Sequence, residues 1–218
     1  MAEQITRIRK YLPTGIKDTL EISVVDNSTD ESERRNNYDV CYDLGVSYYE
    51  DSFKDGDPSI NHSQALNYLY WLSFCHNNDF TLFLDHDTFM FSPSNIIEES
   101  KEKHFAGIGQ SKLGKMYMHP NCLLINNNLV PREIVNLAPC EGMDTGGMLA
   151  NYISTLRADQ INHLSFQYAD YSYDGIKDKY EIIGESFAHL IKGSNWNRNP
   201  KHKERQDSFL YLLQKISI

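Results

Sequence analysis

The sequence predicts an α/β domain with a mostly parallel central sheet flanked by helices. Strand-like apolar runs alternate with helix-like segments along most of the chain, which is the pattern of strands joined by helical crossovers. Two of these runs, residues 20–25 and 80–84, end abruptly in acidic residues, and open α/β sheets bind their ligands at such strand ends. The length of 218 residues fits one domain with a substantial core.

Helices and strands alternate in the first half of the chain. Residues 2–12 predict a helix that stops at a Pro-Thr-Gly signal, and residues 20–25 alternate in polarity like a strand. Residues 40–49, rich in tyrosine and valine, predict an extended segment. Helical apolar spacing over 61–76 then leads directly into the apolar strand 80–84.

The second half of the chain alternates less regularly. Asp144 or Thr145 is placed to cap a helix there. The predicted elements, in order, are a helix at 96–104, a strand at 105–109, a loop at 110–119, a strand at 122–125, a helix at 148–156, a strand at 161–166, a tyrosine-rich loop at 168–180, a segment at 182–191 and an amphipathic C-terminal helix at 204–216.

Charge and composition exclude several classes of protein. The net charge of −9 and a pI near 5.3 argue against a nucleic-acid partner. No apolar run approaches the ~18 residues of a membrane-spanning helix, and no signal peptide opens the chain. Cys41, Cys75 and Cys122 lie in apolar segments without CxxC spacing, which predicts buried free thiols in a reducing compartment. We therefore expect a cytoplasmic protein, and both docking on a membrane surface and membership of a larger multidomain polypeptide are compatible with the sequence.

The stretch Asp85-His86-Asp87 carries the clearest chemical signal. Two carboxylates, one residue apart at the end of a buried strand, repel each other where water is scarce. A hard divalent cation such as Mg²⁺ or Mn²⁺, bound together with a phosphate, relieves that repulsion. The alternative is a purely structural turn in which the aspartate side chains cap their own backbone.

Two motifs resemble those of family 2 glycosyltransferases. The run Val24-Val25-Asp26-Asn27-Ser28-Thr29-Asp30 resembles their V-V-D-x-x-S-T-D segment, and Asp85-His86-Asp87 is similar to the D-x-D motif of the GT-A fold. Residues 61–67 stand where that family begins a helix, and the resemblance extends over roughly residues 20–190. It implies a single GT-A domain that uses Mn²⁺ or Mg²⁺ to move a sugar from a nucleotide-diphosphate sugar to a glycan or other hydroxyl acceptor. UDP-sugars are favoured as donors over dTDP- or GDP-sugars.

The resemblance also assigns roles to individual residues. It implies a nucleotide-sugar-binding half at 20–110 and an acceptor-side half with the C-terminal helix at 111–218. One departure is that residues 1–12 are charged and poorly strand-like, where the family has its first strand. The residues implied to contact the nucleotide sugar are Asp26, Asn27, Asn61, Asp85 and His86, and those implied to bind the metal are Asp85, Asp87 and His189.

Asp144 is the candidate catalytic residue. In inverting members of the family an acidic residue near this position takes the proton of the acceptor hydroxyl, which is general-base catalysis. Glu141 and Glu185 are the reserves for that role. Trp196 is a candidate lid or acceptor contact.

Each assignment has a competing interpretation. Asp26 and Asp144 could simply cap helices, and His189 could be a hydrogen-bonded core histidine. The run 82–88 also matches the hhhDxDxT motif of haloacid-dehalogenase-like phosphohydrolases, which implies Asp85 as nucleophile and Asp87 as general acid. A non-catalytic domain that binds a nucleotide sugar is the third possibility.

Overall fold

Strands and helices follow one another through the first half of the chain. The structure is a computed structural model that describes residues 1–51, 57–173, 176–191 and 202–217. The elements form one mixed α/β domain, so the predicted α/β class is confirmed. The helices are α1 (Ala2–Tyr11), α2 (Thr14–Lys17), α3 (Glu31–Asp43), α4 (Pro58–Cys75), α5 (Ile96–Glu99), α6 (Ala150–Ile153) and α7 (His202–Ile216). The strands are β1 (Ser23–Asp26), β2 (Ser47–Glu50), β3 (Phe80–Leu84), β4 (Thr88–Met90), β5 (Phe105–Lys112), β6 (Lys115–Asn126), β7 (Ile161–His163), β8 (Phe166–Tyr173), β9 (Ile176–Ile183) and β10 (Phe187–Leu190).

Strands β1 and β2 pair in parallel and are joined by α3. Asp30 caps this helix, because its carboxylate accepts hydrogen bonds from the backbone amides of Ser32 and Glu33. The helix runs through Val40 to Asp43, so the extended conformation predicted for residues 40–43 is wrong. A helix with a strong cap overrides the weaker β-propensity of single residues near its end.

The second sheet has the strand order β3-β6-β5-β7, in which only β5 and β7 are parallel. The prediction of a mostly parallel central sheet is therefore wrong. The cause lies in residues 110–119, predicted as a loop, which instead complete an antiparallel β5–β6 hairpin. Its turn residues Leu113 and Gly114 both have positive φ, 55° and 75°, as the tight hairpin turn that matches strand twist requires.

The third sheet has the order β4-β10-β9-β8, and all of its pairs are antiparallel. Its β8–β9 hairpin occupies most of the predicted loop 168–180, because the tyrosines there are strand-forming residues that pair across the hairpin. Helix α7 covers one face of the sheet, where Phe209 and Leu213 pack on Tyr171 and Tyr180. The predicted C-terminal helix is thus confirmed.

Strand β6 lies at the centre of the core and is buried on both faces. Leu123 and Ile125 pack with Phe105 in one hydrophobic cluster, while Cys122 and Leu124 belong to a second cluster on the opposite face. Alternate side chains of a strand point to opposite faces, so one strand serves both clusters. Because all five residues of β3 pair with the last five residues of β6, the end of β3 is held on a rigid support.

Two helices are shorter than the sequence predicts. Helix α5 ends at Glu99 rather than near 104, and the helix expected over 148–156 is a 3-10 turn followed by α6, which ends at Ile153. Neither segment has the length for stable helical hydrogen bonding without tertiary support. No helix in the described part of the chain is long and apolar enough to cross a membrane.

The prediction of buried free thiols is only partly correct. All four cysteines are unpaired, and Cys41 and Cys122 are buried. Cys75, however, is exposed, because it lies on the outer face of the last turn of α4.

Candidate functional site

The motif Asp85-His86-Asp87 forms a tight turn between β3 and β4. The turn is closed by the Thr88 amide, which donates to the carbonyl of Asp85 at 2.9 Å. Asp87 is only 2 % exposed, whereas His86 faces solvent. The strand-end placement predicted for the two aspartates is therefore confirmed, and they lie in different environments.

A residue that the sequence analysis missed holds this turn in place. Gln4 of α1 is 9 % exposed, and its side-chain Nε2 donates to the carbonyls of Asp85 and Thr88, each at 2.7 Å. One turn further along α1, the buried guanidinium of Arg7 donates to the carbonyl of Met90. Polar residues on the buried side of α1 were the only signal in the sequence, and their partners lie about 80 residues away.

His62 of α4 pairs with the first aspartate of the motif. Its Nε2 lies 2.9 Å from Oδ1 of Asp85. Burial alone would lower the pKa of His62, but the hydrogen bond to Asp85 and the charges of Asp85, Asp144 and Asp87 raise it above the usual histidine value. Burial would raise the pKa of Asp85, and the contact with His62 outweighs it and holds that pKa below its ordinary value. His62 was given no role in the sequence analysis, although it stands next to the predicted contact Asn61.

The second aspartate faces a histidine from the third sheet. Oδ1 of Asp87 lies 3.4 Å from Nε2 of His189, and the other ring nitrogen, Nδ1, lies 2.7 Å from Oε2 of Glu181. Burial would lower the pKa of His189, but hydrogen bonds and attraction to Asp87 and Glu181 raise it to about 10. The predicted pair of Asp87 and His189 is thus brought together, while Glu181 was not predicted.

The contact from Glu181 has a chemical consequence for His189. A carboxylate that accepts from Nδ1–H fixes the ring orientation and leaves Nε2 as the nitrogen that faces Asp87. This is the arrangement that usually stands behind a metal-binding histidine. His189 is therefore hydrogen-bonded, as the alternative of a core histidine predicts, and its ring is also oriented toward Asp87.

The candidate base Asp144 lies in an exposed loop next to the start of α4. Its Oδ1 accepts from the Ser59 hydroxyl at 2.7 Å and from the Thr145 amide at 2.8 Å. Burial would raise the pKa of Asp144, but these bonds and the nearby His119 and His62 lower it, which keeps the carboxylate ionised at neutral pH. Asp144 does not cap the following helical segment, whose N-cap is Gly146.

The reserve carboxylates do not take part in this cluster. Glu141 is exposed and forms an ion pair with Lys115 at 2.8 Å. Glu185 is an exposed residue of the turn between β9 and β10. Trp196 lies outside the described residues.

The predicted nucleotide contact Asp26 is buried at the end of β1 and already has three hydrogen-bond donors. They are the Ser28 amide at 2.8 Å, Asn37 at 2.8 Å and the Tyr48 hydroxyl at 3.0 Å. Burial would raise the pKa of Asp26, and these hydrogen bonds lower it below the ordinary aspartate value. Asp26 does not cap α3, since Asp30 does so; it fixes the turn that follows β1, and the next residue, Asn27, is exposed.

The donor set suits a substrate-linked cation better than a metal cage. Among the described residues, no group of three or more His, Cys, Asp or Glu side chains is placed to hold a metal ion. Asp87 and His189 are two donors facing each other, with Asp85 two residues from the first. Mg²⁺ and Mn²⁺ commonly use one or two protein ligands and complete their shell with water and substrate phosphate. The residues present therefore fit such an ion.

A cavity of about 390 Å³ opens beside His189. It lies between the β5–β6 hairpin and the third sheet and is lined by residues of both, among them Asn121, Phe166 and Tyr168. Asn121 is 2 % exposed, and its side-chain oxygen has no hydrogen-bond partner among the described residues.

The chain was compared with protein families, with curated proteins and with solved structures. None of the three comparisons found a match. What the site can do follows from its own residues: Asp85 pairs with His62, the charges of Asp144 and Asp87 also raise the pKa of His62, and Asp87 faces His189.

Proposed function

We propose that the protein is a metal-dependent glycosyltransferase that moves a sugar from a nucleotide-diphosphate sugar to a hydroxyl of a glycan or other acceptor, with inversion. The observation that carries the proposal is the acidic turn, in which Asp85 pairs with His62 of α4 and Asp87 lies opposite His189, with Asp144 hydrogen-bonded to Ser59 at the start of the same helix α4. Such a cluster contains the acidic groups for a cation and a further carboxylate for proton transfer. The resemblance of the two sequence motifs points the same way.

The proposed donor site centres on Asp87 and His189. These two side chains would hold Mn²⁺ or Mg²⁺ once the cation displaces the Nε2 proton of His189, and the cation would supply Lewis-acid stabilisation of the departing diphosphate. Glu181 keeps the ring of His189 turned so that Nε2 faces Asp87. Asp85, His86 and the region of Asn61 and Asp26 are the proposed contacts of the nucleotide, with UDP favoured over dTDP or GDP.

Asp144 is the proposed general base. In the transfer step the acceptor oxygen bonds to the anomeric carbon, the bond from that carbon to the diphosphate oxygen breaks, and the acceptor proton passes to a carboxylate. Both hydrogen bonds that described residues donate to the Asp144 side chain are accepted by Oδ1, so Oδ2 is the proposed proton acceptor. Its lowered pKa keeps the group in the ionised form at neutral pH, which is the form that a general base requires.

The proposal includes the GT-A fold, with support confined to the first half of the chain. There β1, α3, β2, α4 and β3 follow one another as strand–helix units, and the motif stands at the end of the third strand. The division into a donor half and an acceptor half stays a prediction. The unpaired cysteines favour the cytoplasm as the compartment.

The test is titration of the protein with UDP, dTDP and GDP, each with and without Mn²⁺. We expect saturable binding that needs the metal and is lost in Asp87→Ala. Asp144→Asn should abolish sugar transfer and leave nucleotide binding nearly unchanged, whereas Asp39→Asn, the same change at an exposed aspartate of α3, should alter neither.

Other outcomes would contradict the proposal in distinct ways. Metal-dependent nucleotide binding without turnover of any sugar donor would identify a binding domain. Hydrolysis of p-nitrophenyl phosphate with phosphate trapped on Asp85 would identify a phosphohydrolase. The second outcome requires Asp85 to leave its pairing with His62.

A further inference from the structure

A row of side chains crosses the third sheet from the motif to the cavity. In the antiparallel register His189 lies opposite Thr88, Glu181 opposite His189, and Tyr168 opposite Glu181. Directly opposed residues share a face of the sheet, so these side chains stand on the face away from α7. The row begins beside Asp87 and ends at the cavity, which we call the hairpin groove.

The far end of the row is an aromatic surface. Phe166 is two residues before Tyr168 and therefore lies on the same face. The two rings meet edge to face, with centroids 5.9 Å apart, and they are 48 % and 61 % exposed. Large aromatic side chains so exposed in the wall of a concave site point to a ligand with an apolar face.

The opposite wall of the hairpin groove is polar. Asn121 is buried there with an unpartnered side-chain oxygen, and buried polar atoms without partners are rare because each one costs free energy. Gln110 also lines the groove, and its Oε1 accepts from Tyr117, which leaves its amide hydrogens as donors. A ligand that fits both walls has an apolar face and several hydroxyl groups.

We propose that the hairpin groove binds an uncharged sugar unit of the acceptor, which packs its apolar face against Phe166 and Tyr168 and donates a hydrogen bond from a hydroxyl to the side-chain oxygen of Asn121. The class of ligand follows from the walls: a pyranose ring has one apolar face and a rim of hydroxyls. The groove-lining residues include Lys112 and the carboxylate of Glu181, so the lining carries charges of both signs and does not single out an anion. The role of the bound sugar as the acceptor of a transfer reaction rests on the proposed function. The existence of a carbohydrate site in the groove does not depend on that function.

The test uses the full chain, without nucleotide or metal, and measures saturation-transfer NMR on a panel of methyl glycosides of neutral hexoses and N-acetylhexosamines. We expect at least one glycoside to bind and Tyr168→Ala to weaken its binding about tenfold, since one of the two aromatic rings in contact with the sugar is lost. Tyr168→Phe keeps the ring and should keep binding. Tyr42→Ala removes a tyrosine that is 75 % exposed on α3 and is the matched control.

The outcomes separate this inference from the proposed function. If no methyl glycoside binds, or if binding is equal in Tyr168→Ala and Tyr42→Ala, the carbohydrate site is refuted, whatever happens with UDP. If Tyr168→Ala abolishes UDP binding measured with Mn²⁺, the rings stack a nucleobase and the inference is wrong. If glycosides bind as expected but UDP does not bind with Mn²⁺, the carbohydrate site stands and the proposed transferase fails.

Discussion

Replacing Gln4 by methionine tests whether one side chain of α1 holds the motif turn. Methionine has nearly the same length and volume and can occupy the same space, but it donates no hydrogen bond. The carbonyls of Asp85 and Thr88 would each lose a donor now at 2.7 Å. The Asp85 carbonyl would keep the Thr88 amide as its second donor.

The expected loss of stability follows from these two contacts. Each buried hydrogen bond contributes about 1 kcal/mol net, and a carbonyl left without a partner adds to the loss, so we expect Gln4→Met to lower the free energy of unfolding by about 2 to 3 kcal/mol. Gln4→Glu should lower it further at neutral pH, because a carboxylate would face two carbonyl oxygens. Acidification should restore part of that loss by protonating the glutamate.

Urea unfolding followed by circular dichroism measures the effect. Gln214→Met is the matched control, since Gln214 is an exposed residue of α7 and the same change there should stay within about 0.5 kcal/mol of wild type. Equal stabilities of Gln4→Met and Gln214→Met would refute the role of Gln4. If only Gln4→Glu lowered the free energy of unfolding, the cause would be the buried negative charge rather than the missing hydrogen-bond donors.

Three further predictions concern other parts of the fold. The hydrogen bonds that lower the pKa of Asp26 stabilise the protein above the unfolded pKa near 3.8, and this stability is lost as pH falls through the folded pKa. The free energy of unfolding of Asp26→Asn should therefore depend less on pH between about 5 and 3 than that of the wild type. An unchanged pH dependence would contradict the argument. Gly146 has φ +93, and a Cβ there would lie 2.5 Å from the Met118 carbonyl oxygen, so Gly146→Ala should destabilise by about 2 kcal/mol or more in thermal unfolding. Gly45→Ala, at φ +60 in open space, should cost only about 1 kcal/mol, and equal effects would refute the clash. A thiol reagent should label the exposed Cys75 at once and Cys122 only after unfolding, because burial raises the pKa of the Cys122 thiol; mass spectrometry of the labelled native protein distinguishes the two sites.

The elements that sequence could predict are those with local causes. Helix α4 has its N-cap at Asp57 and a proline in its first turn, and strand β3 is a mostly apolar run interrupted by Thr81 alone. Both signals lie within a few residues of the element that they specify. The placement of Asp85 and Asp87 at the end of β3 followed from the same local pattern.

The missed elements depend on pairing rather than on local pattern. Leu113 has no turn propensity of the kind that marks a hairpin, so only its positive φ next to Gly114 reveals the turn. The tyrosine-rich segment 168–180 lacks clean alternation, and its strands are fixed by each other and by α7. The prediction of a mostly parallel sheet was wrong because these two hairpins pair their strands antiparallel.

The residues of the candidate site likewise include some that the sequence could predict and others that it could not. Asp87, Asp144 and His189 could be chosen by residue type and motif, since carboxylates and histidines are what the proposed chemistry needs. Glu181 and Gln4 could not, because each acts through a contact that the register of a sheet or the docking of a helix creates. Supporting residues of this kind become visible only when the fold is known.

The contact of Arg7 with the end of α7 bears on how the chain is made. The guanidinium donates to the carbonyl of Met90 at the end of β4 and to the hydroxyl of Ser217, 210 positions along the sequence. The ribosome must add Ser217, which follows α7, before this contact can form, and contacts so distant in sequence form late in folding. The turn at Asp85-His86-Asp87 thus gains its full anchor only after residue 217 has been synthesised, so its side chains take their final positions late in the folding of this domain.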